Sequence, residues 1–469
     1  MRLRLPSLLL LVLVGALAVP GAAAASPAQF TVFDAPRELK GDDAGLRAQT
    51  LDELQALGVR WLRVTLYWKD VAPEPEAAKA PVFDERDPDE GYDWTRYDPV
   101  IREARARGMQ LLLTVSGPVP KWATRDRDDF VTEPSPLRFE RFTTAVGRRY
   151  GDDVSIWAVW NEPNQPNFLL PQFRNGRAAS PAIYRRLFQA ADRGLRAAGQ
   201  GDDPVLAGET APRGTPLVVA PVTFLRGTLC LDAEFRRSPR CGRLPADGWA
   251  HHPYTTQAGP YFVPGRSTDV TIGVLGRLSS ALDRAERAGA LPRGQGIYIT
   301  EFGVQSEPDP NVGVPQPVQA EQRSIAELIA FRNPRVRSFA QYLMRDDFPR
   351  ENLPASRRYS GFESGLREAA GAVKPAYEGF RLPLVALRGR ARTSLWGLVR
   401  PATGPTAVVV EFRDRGGAWR RLKVKTTSAQ GTWSTTTSLR ASRRYRVRWT
   451  APDGTEHVGP ATRSYAPRS

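Results

Sequence analysis

The sequence predicts an α/β protein: a (β/α)8 TIM barrel followed by a small all-β sandwich. Between residues 28 and 381, short runs rich in Val, Ile and Leu alternate eight times with stretches whose apolar residues recur at helical spacing. That is the pattern of parallel strands joined by crossover helices. From Pro383 it changes to short alternating runs broken by turn residues, which reads as antiparallel sheet. A doubly wound open sheet is the alternative for the first part, but no G-x-G-x-x-G follows the first strand, which counts against a dinucleotide-binding version. At 469 residues the chain is too long for one ordinary core. We divide it into 1–25, 26–382 and 383–469.

Taken in order, residues 30–33 form the first strand, and 45–57 a helix in which Leu46, Leu51, Leu54 and Leu57 fall at helical spacing before Gly58. Residues 59–66 are the second strand. The stretch 72–91, rich in Pro, Asp and Glu, is a long loop of the kind that more often serves a function than a connection. A helix over 94–107 stops at Gly108, and the third strand covers 110–115. A helix over 136–150 leads to the fourth strand, 156–159, closed by Trp160-Asn161-Glu162-Pro163-Asn164. This strand has no polar alternation, as expected of a parallel strand covered on both faces. Pro163 has no N–H to continue the ladder and restricts the residue before it, so Glu162 is expected in extended geometry.

The alternation continues with a helix over 181–198, a strand over 205–209, a helix over 217–225 and a strand over 248–251. A helix over 274–288, a strand over 296–300, a helix over 318–331 and an eighth strand over 336–343 complete it. In the tail, 407–412, 419–424, 432–439 and 445–449 read as strands, with Asp453-Gly454 as a hairpin turn. Trp396, Trp419, Trp433 and Trp449 are assigned mainly to the sandwich core rather than to a sugar-stacking face.

Arg2, Arg4, the apolar stretch 8–19 and the small residues Ala22 to Ala25 make residues 1–25 a secretory signal. That stretch is short for a membrane span and no second one could cross a bilayer, so a secreted, extracellular protein that does not span the membrane is expected. Cys230 and Cys241 lie in one loop-like region and, in an exported chain, suggest a local disulfide. The histidines His251, His252 and His457 show no H-x-x-H spacing, which argues against a catalytic zinc or iron site. No metal and no cofactor is expected. The net charge of +16 first suggests a polyanionic partner. Its location matters: residues 383–469 hold 17 Lys and Arg against 4 Asp and Glu, so the basic field belongs to the tail domain. The expected partners are a carbohydrate substrate and, through the tail, a cell-envelope polymer, with no nucleic acid.

In this barrel type, residues at the carboxyl ends of strands line one face. Glu162 ends the fourth strand and Glu301 the seventh. Glycoside cleavage needs such a pair: one carboxyl protonates the leaving oxygen while the other attacks the anomeric carbon from ~5–5.5 Å away in retaining enzymes.

Trp160-Asn161-Glu162-Pro163 and Ile299-Thr300-Glu301-Phe302-Gly303 resemble the acid/base and nucleophile signatures of the retaining β-glycosidases of glycoside hydrolase clan A. Within the clan the chain resembles the cellulase-like family 5 and the β-xylosidase-like family 39. The resemblance covers most of residues 30–380, including Gly365-Leu366 and Lys374-Pro375-Ala376-Tyr377. It implies a hydrolase of O-glycosidic bonds in an oligo- or polysaccharide that works by double displacement, with Glu162 as acid and then base and Glu301 as nucleophile. It further implies that Asn161 holds the sugar 2-hydroxyl, Tyr254 holds the nucleophile, His252 lines the site and Arg63 keeps Glu301 ionised. Trp68 and Trp122 would be stacking platforms.

Two departures stand out. Where family 5 usually shows a histidine, this chain has Val115-Ser116-Gly117-Pro118, and its eighth strand ends in Tyr342 where tryptophan is common. The alternatives are an inverting hydrolase, with carboxyls ~6.5–9.5 Å apart, a transglycosylase, and an envelope-associated polysaccharide-binding protein with a degenerate barrel. Sugar, linkage and endo or exo action depend on how loops 72–91, 230–241 and 345–371 close the barrel mouth.

Overall fold

The computed structural model describes residues 29–401 and 404–466, so the signal expected over 1–25 lies outside the described residues. Eight strands close into a barrel: β1 (Phe30–Asp34), β2 (Trp61–Tyr67), β3 (Gln110–Ser116), β4 (Val154–Val159), β5 (Val205–Thr210), β6 (Gly248–His251), β7 (Gly296–Ile299) and β8 (Val336–Tyr342). Each pairs in parallel with its sequence neighbours, and β8 returns to β1. A helix follows every strand: α1 (Ala44–Ala56), α2 (Asp98–Ala106), α3 (Pro136–Tyr150), α4 (Ser180–Ala197), α5 (Pro221–Thr228), α6 (Gly276–Arg287), α7 (Gln316–Phe331) and α8 (Pro375–Arg381). Proline sits in the first two positions of α2, α3, α4, α5, α7 and α8, where its fixed φ suits the helix and its missing N–H costs nothing. Pro221 therefore starts α5 later than the apolar spacing from 217 suggested. Among the described residues no helix is long and apolar enough to cross a membrane.

The barrel has two cores. Leu112, Ile156, Ala158, Leu206 and Ala250 fill its interior together with Phe30, Trp61 and Tyr298. The opposite faces of the strands pack against the helices, as Leu111, Leu113, Val159 and Ala207 do. The interior is apolar only toward the strand starts. Strand periodicity of two that places Trp61 inside also places Arg63 inside, and from that level upward the interior turns polar.

From Leu384 the chain forms two antiparallel sheets: β9 (Leu384–Arg388), β10 (Arg392–Leu398) and β13 (Thr432–Ser438) in one, and β12 (Arg420–Thr426), β11 (Ala407–Arg413), β14 (Arg444–Thr450) and β15 (Glu456–Val458) in the other, with β16 (Thr462–Arg463) also on β14. Leu384, Leu395, Val408, Val410, Trp433, Val447 and Trp449 fill the space between them. The expected hairpin at Asp453-Gly454 joins β14 to β15, closed by Ala451 and Thr455. Trp433 and Trp449 are core residues as assigned. Trp396 instead packs on Phe331, 5.4 Å between ring centres, with Ile325 and Leu328 of α7. Trp419 lies half-buried under the guanidinium groups of Arg413 and Arg446. These four rings form no common stacking face.

The two domains are sealed together. Arg400 pairs with Glu327 of α7, donates to the Phe380 carbonyl at 2.7 Å and reaches Thr31 at 3.1 Å. A cavity of about 420 Å³ opens at this junction, lined by Phe30 and Trp61 from the barrel and Trp396 and Leu398 from the sandwich. It lies at the end where the strands begin, opposite the glutamates. Cys230 and Cys241 form the expected disulfide in the loop after α5.

Candidate active site

Glu162 and Glu301 meet at the strand-end face. One carboxylate oxygen of each, together with a ring nitrogen of His252, all lie within 4.8 Å of one another. Glu301 follows β7 directly. Its Oε1 accepts from Arg63 Nη1 at 2.6 Å and its Oε2 from the Tyr254 hydroxyl at 3.0 Å. Burial pushes the Glu301 carboxyl up, but His252, Arg63 and the Tyr254 hydroxyl more than offset that and hold it below the ordinary glutamate value. The carboxylate form of Glu301 is thus favoured inside the protein.

Glu162 is not extended. Its φ is +39°, in the left-handed region, which corrects the geometry expected from Pro163. Proline disfavours the right-handed helical region for the residue before it, yet the chain turns at once here. The Gln165 amide donates to the Glu162 carbonyl at 2.9 Å, and the Glu162 amide donates to the Glu209 carbonyl at 3.0 Å. The left-handed conformation satisfies both. Non-glycine residues held there store strain that surrounding contacts must fix, commonly at functional sites. The side chain is pinned as well, with Gln165 Nε2 on Oε2 at 2.5 Å and His252 Nδ1 on Oε1 at 3.0 Å.

His252 lies between the two glutamates. Its Nδ1 is 3.5 Å from Glu301 Oε2, and its Nε2 is 3.1 Å from the Thr300 hydroxyl. Burial lowers the tendency of this ring to take up a proton, but Glu301 and Glu162 outweigh burial and raise its pKa above the ordinary value. Its neighbour His251 faces Thr210 and the Val270 carbonyl, and burial pushes it down to about 3. Adjacent strand residues thus meet opposite environments.

Arg63 organises the floor. Besides Glu301 it reaches Asp34 Oδ2 at 2.9 Å, Glu209 Oε2 at 2.8 Å and Asn161 Oδ1 at 2.7 Å, while only 1% exposed. Asp34 ends β1, Arg63 is in β2, Asn161 follows β4, Glu209 is in β5 and Glu301 follows β7. One guanidinium on β2 therefore ties to itself four other positions around the barrel. Burial, reinforced by Glu301 and opposed by Arg63 and Lys40, raises Asp34 to about 6. Asn161 spends its oxygen on Arg63, and its nitrogen makes no hydrogen bond among the described residues. The amide is thereby oriented as a donor toward the site.

Glu209 reaches the floor through a bulge. Pairing of β5 with β6 shifts register between Ala207 and Thr210, and Gly208 and Glu209 both have positive φ, +107° and +46°. A Cβ at Gly208 would lie 2.5 Å from the Ala250 carbonyl oxygen, so only glycine fits. The Gly208 amide donates at 2.7 Å to Tyr184 of α4, whose hydroxyl donates to the Val159 carbonyl at 3.0 Å. That bridge fixes the ends of β4 and β5 against each other.

The structure thus brings together Glu162, Glu301, Asn161, Arg63, His252 and Tyr254. Tyr342 joins them at the end of β8, where burial, then the charges of Glu301 and Asp34, push its phenol well up. Trp68 and Trp122 do not join. Trp68 is fully buried, stacked on Phe142 with 4.8 Å between ring centres; Trp122 stands edge-on to it at 5.7 Å and is 2% exposed. Apolar ring neighbours on α3 and the loop after β2 claim these indoles for the core, and neither offers a face to a sugar. Sequence reasoning missed Asp34, Glu209 and Gln165. The first two were visible as acids at strand ends; Gln165 carried no signal beyond its nearness to Glu162.

No protein-family model matches the chain, and no curated protein matches it. Solved structures do. A family 39 glycoside hydrolase from Bacteroides cellulosilyticus WH2 superposes with a TM-score of 0.51 at 15% identity, over 90% of this chain and 80% of that one. The likeness is one of fold. A β-glycosidase from Thermosphaera aggregans matches at a TM-score of 0.46 and 17% identity over 72% of this chain and 84% of its own. Xylanase B from Clostridium stercorarium F9 matches at 0.45 and 18% identity over 76% and 99%. The TIM barrel with a C-terminal all-β domain expected from the sequence is the fold observed.

Proposed function

We propose that this protein is an exported retaining glycoside hydrolase that cleaves β-linked O-glycosidic bonds of an oligo- or polysaccharide through Glu162 and Glu301. The single observation that carries the reading is the short approach of the two carboxylates, one oxygen of each lying within 4.8 Å of the other, with Glu301 held in its anionic form. Inverting enzymes keep their carboxyls ~6.5–9.5 Å apart to admit a water, so the separation favours retention. The fold shared with a family 39 enzyme agrees with this chemistry.

In the proposed reaction, Glu301 Oε2 or Oε1 attacks the anomeric carbon while Glu162 gives its proton to the leaving oxygen. Glu162, then a carboxylate, takes a proton from water, and that water releases the sugar from Glu301. Arg63 and Tyr254 supply the fixed donors that favour the anionic nucleophile before attack and after release. His252, in contact with both carboxyls, accommodates the negative charge that passes to Glu162 once its proton has left. Asn161 presents its N–H group where a sugar 2-hydroxyl would lie, an interaction that strengthens in the transition state. A sugar acceptor in place of water would give transglycosylation by the same intermediate. The residues 1–25 support export.

The test is a panel of aryl β-glycosides with separate Glu301→Gln and Glu162→Gln variants. We expect Glu301→Gln to abolish turnover on every substrate. Glu162→Gln should cost ~10²–10⁴-fold with poor leaving groups and much less with good ones, because a good leaving group needs no proton. Wild-type turnover in both variants would remove the proposal, and inversion at the anomeric carbon by NMR would remove its retaining half.

A further inference from the structure

The outer face of the second sandwich sheet carries an arrangement that the hydrolase reading leaves unused. Arg413 of β11 is paired in register with Arg444 of β14, and Arg444 with Arg463 of β16. The next register pairs, Phe412 with Tyr445 and Tyr445 with Thr462, turn toward the core, Tyr445 and Thr462 being buried. By strand alternation the three arginines point outward together. Opposed Cα atoms in antiparallel strands stand about 5 Å apart, so three guanidinium groups share one short row.

Like charges directly opposite each other destabilise a sheet. Among the described residues no carboxylate relieves them; Arg413 alone has a partner, the Trp419 ring 4.8 Å away. Among the described residues none of the three forms an ion pair; the nearest acid in sequence, Asp414, is taken by Arg443 at 2.9 Å and by Arg420 at 3.5 Å. One level along the same face the situation reverses. Glu411 accepts from Arg446 at 2.7 Å and forms an ion pair with Arg448 at 3.0 Å, and Arg448 also reaches Glu456 at 2.8 Å. The row of directly opposed arginines therefore stands at one end of the sheet. That end is concave: Arg413, Arg415, Arg444 and Arg463 line a hollow of about 590 Å³ together with Asp414, whose carboxylate is already paired with Arg443 and Arg420.

We propose that this hollow binds the phosphate or sulfate groups of an anionic glycan. The planar guanidinium fork matches tetrahedral and carboxylate oxyanions in a bidentate manner, and three forks in a row suit a polymer that repeats its charge. Single-stranded nucleic acid fits less well, because its binding relies on aromatic platforms for the bases and none of the described residues lining the hollow is aromatic; duplex DNA is left to the test. None of its lining residues belongs to the barrel, so the site stands apart from the glutamate pair and does not depend on its assignment.

The test uses the full chain and four probes: inorganic phosphate, dextran sulfate, neutral dextran and duplex DNA. Phosphate should raise the melting temperature more than chloride at equal ionic strength, and dextran sulfate should retard the protein in affinity electrophoresis where neutral dextran does not. Arg444→Gln and, separately, Arg463→Gln should lose the phosphate-specific rise and weaken dextran sulfate binding about tenfold. Arg421→Gln, which sits opposite Glu411 on the same sheet, should keep both. Without added oxyanion, Arg444→Gln should melt no lower than the wild type, because it removes a repulsion. Wild-type binding in both row variants, equal loss in Arg421→Gln, or duplex DNA bound as tightly as dextran sulfate through the same arginines would each overturn the proposal.

Discussion

Arg63 and Arg444 both lie on β-strands, one in the barrel and one in the sandwich, and their surroundings are opposite. Arg63 is buried among Asp34, Glu209 and Glu301; Arg444 is exposed between Arg413 and Arg463. Taking an ion out of water costs several kcal/mol unless partners satisfy it, so the barrel surrounds its arginine with acids. Solvent screens the sandwich arginines, which lets the protein leave them unpaired. Arginine count alone therefore says little about what a domain binds. What matters is whether the counter-charge is supplied by the chain or left to be supplied by something else.

The comparison can be broken most severely at Arg63. Arg63→Met leaves three carboxylates without their shared partner; removing one member of a buried ionic network costs ~3–5 kcal/mol, to be read from denaturant unfolding, and glycosidase activity should fall with it. Glu209→Gln should be milder, because the amide oxygen can still accept from Arg63. We expect folding to persist and kcat to drop more than KM rises, a split that steady-state kinetics on one aryl glycoside will show. If KM alone moves, Glu209 acts on binding rather than on the charge around Glu301.

A third probe concerns Glu363, between β8 and α8. Burial, then the charges of Asp309, Asp346 and Asp347, raise its carboxyl from the ordinary 4.5 to about 7. The folded protein thus holds that proton more tightly than the unfolded chain does. Stability from this group is full below pH 4.5, is lost as the pH rises to about 7, and is level beyond. Glu363→Gln should accordingly raise the melting temperature relative to wild type at pH 8 and not at pH 4.5, by calorimetry at the two values. An equal shift at both would mean that packing, not titration, governs the site. The smallest effect should come from Arg421→Gln, where an exposed side chain on the β12 edge of the sheet is worth ~0.5 kcal/mol or less.

Much of this was legible in the chain. Glu162 and Glu301 were readable because each follows a short, densely apolar run, and strand ends face one way in a barrel. Arg63 was readable only by resemblance, since within 59–66 it looks like the polar member of an alternating strand. Asp34 and Glu209 could be read as acids at strand ends, but their role was hidden because it comes from Arg63, on another strand. Trp68 and Trp122 misled for a related reason: their position near strand ends suggested the mouth, whereas Phe139 and Phe142 on α3 hold Trp68 in the core and Trp68 and Phe83 hold Trp122 there. Strand β9 escaped notice because it is covered on both sides. Leu384 and Ala386 face the sandwich core while Val385 faces Ile325 and Leu328 of α7, so no alternation survives to be read.

That doubly covered strand also sets the mechanics of the molecule. With one face of β9 in the sandwich and the other on a barrel helix, the second domain is a fixed bracket on the barrel wall rather than a module swinging on a tether. Whatever the arginine row holds is held at a set distance and angle from the strand-end face. Under the proposed hydrolysis, a polymer gripped there would meet the carboxylates at a constant bearing, so shortening or loosening the joint at Arg381 to Leu384 should alter product lengths before it alters rate.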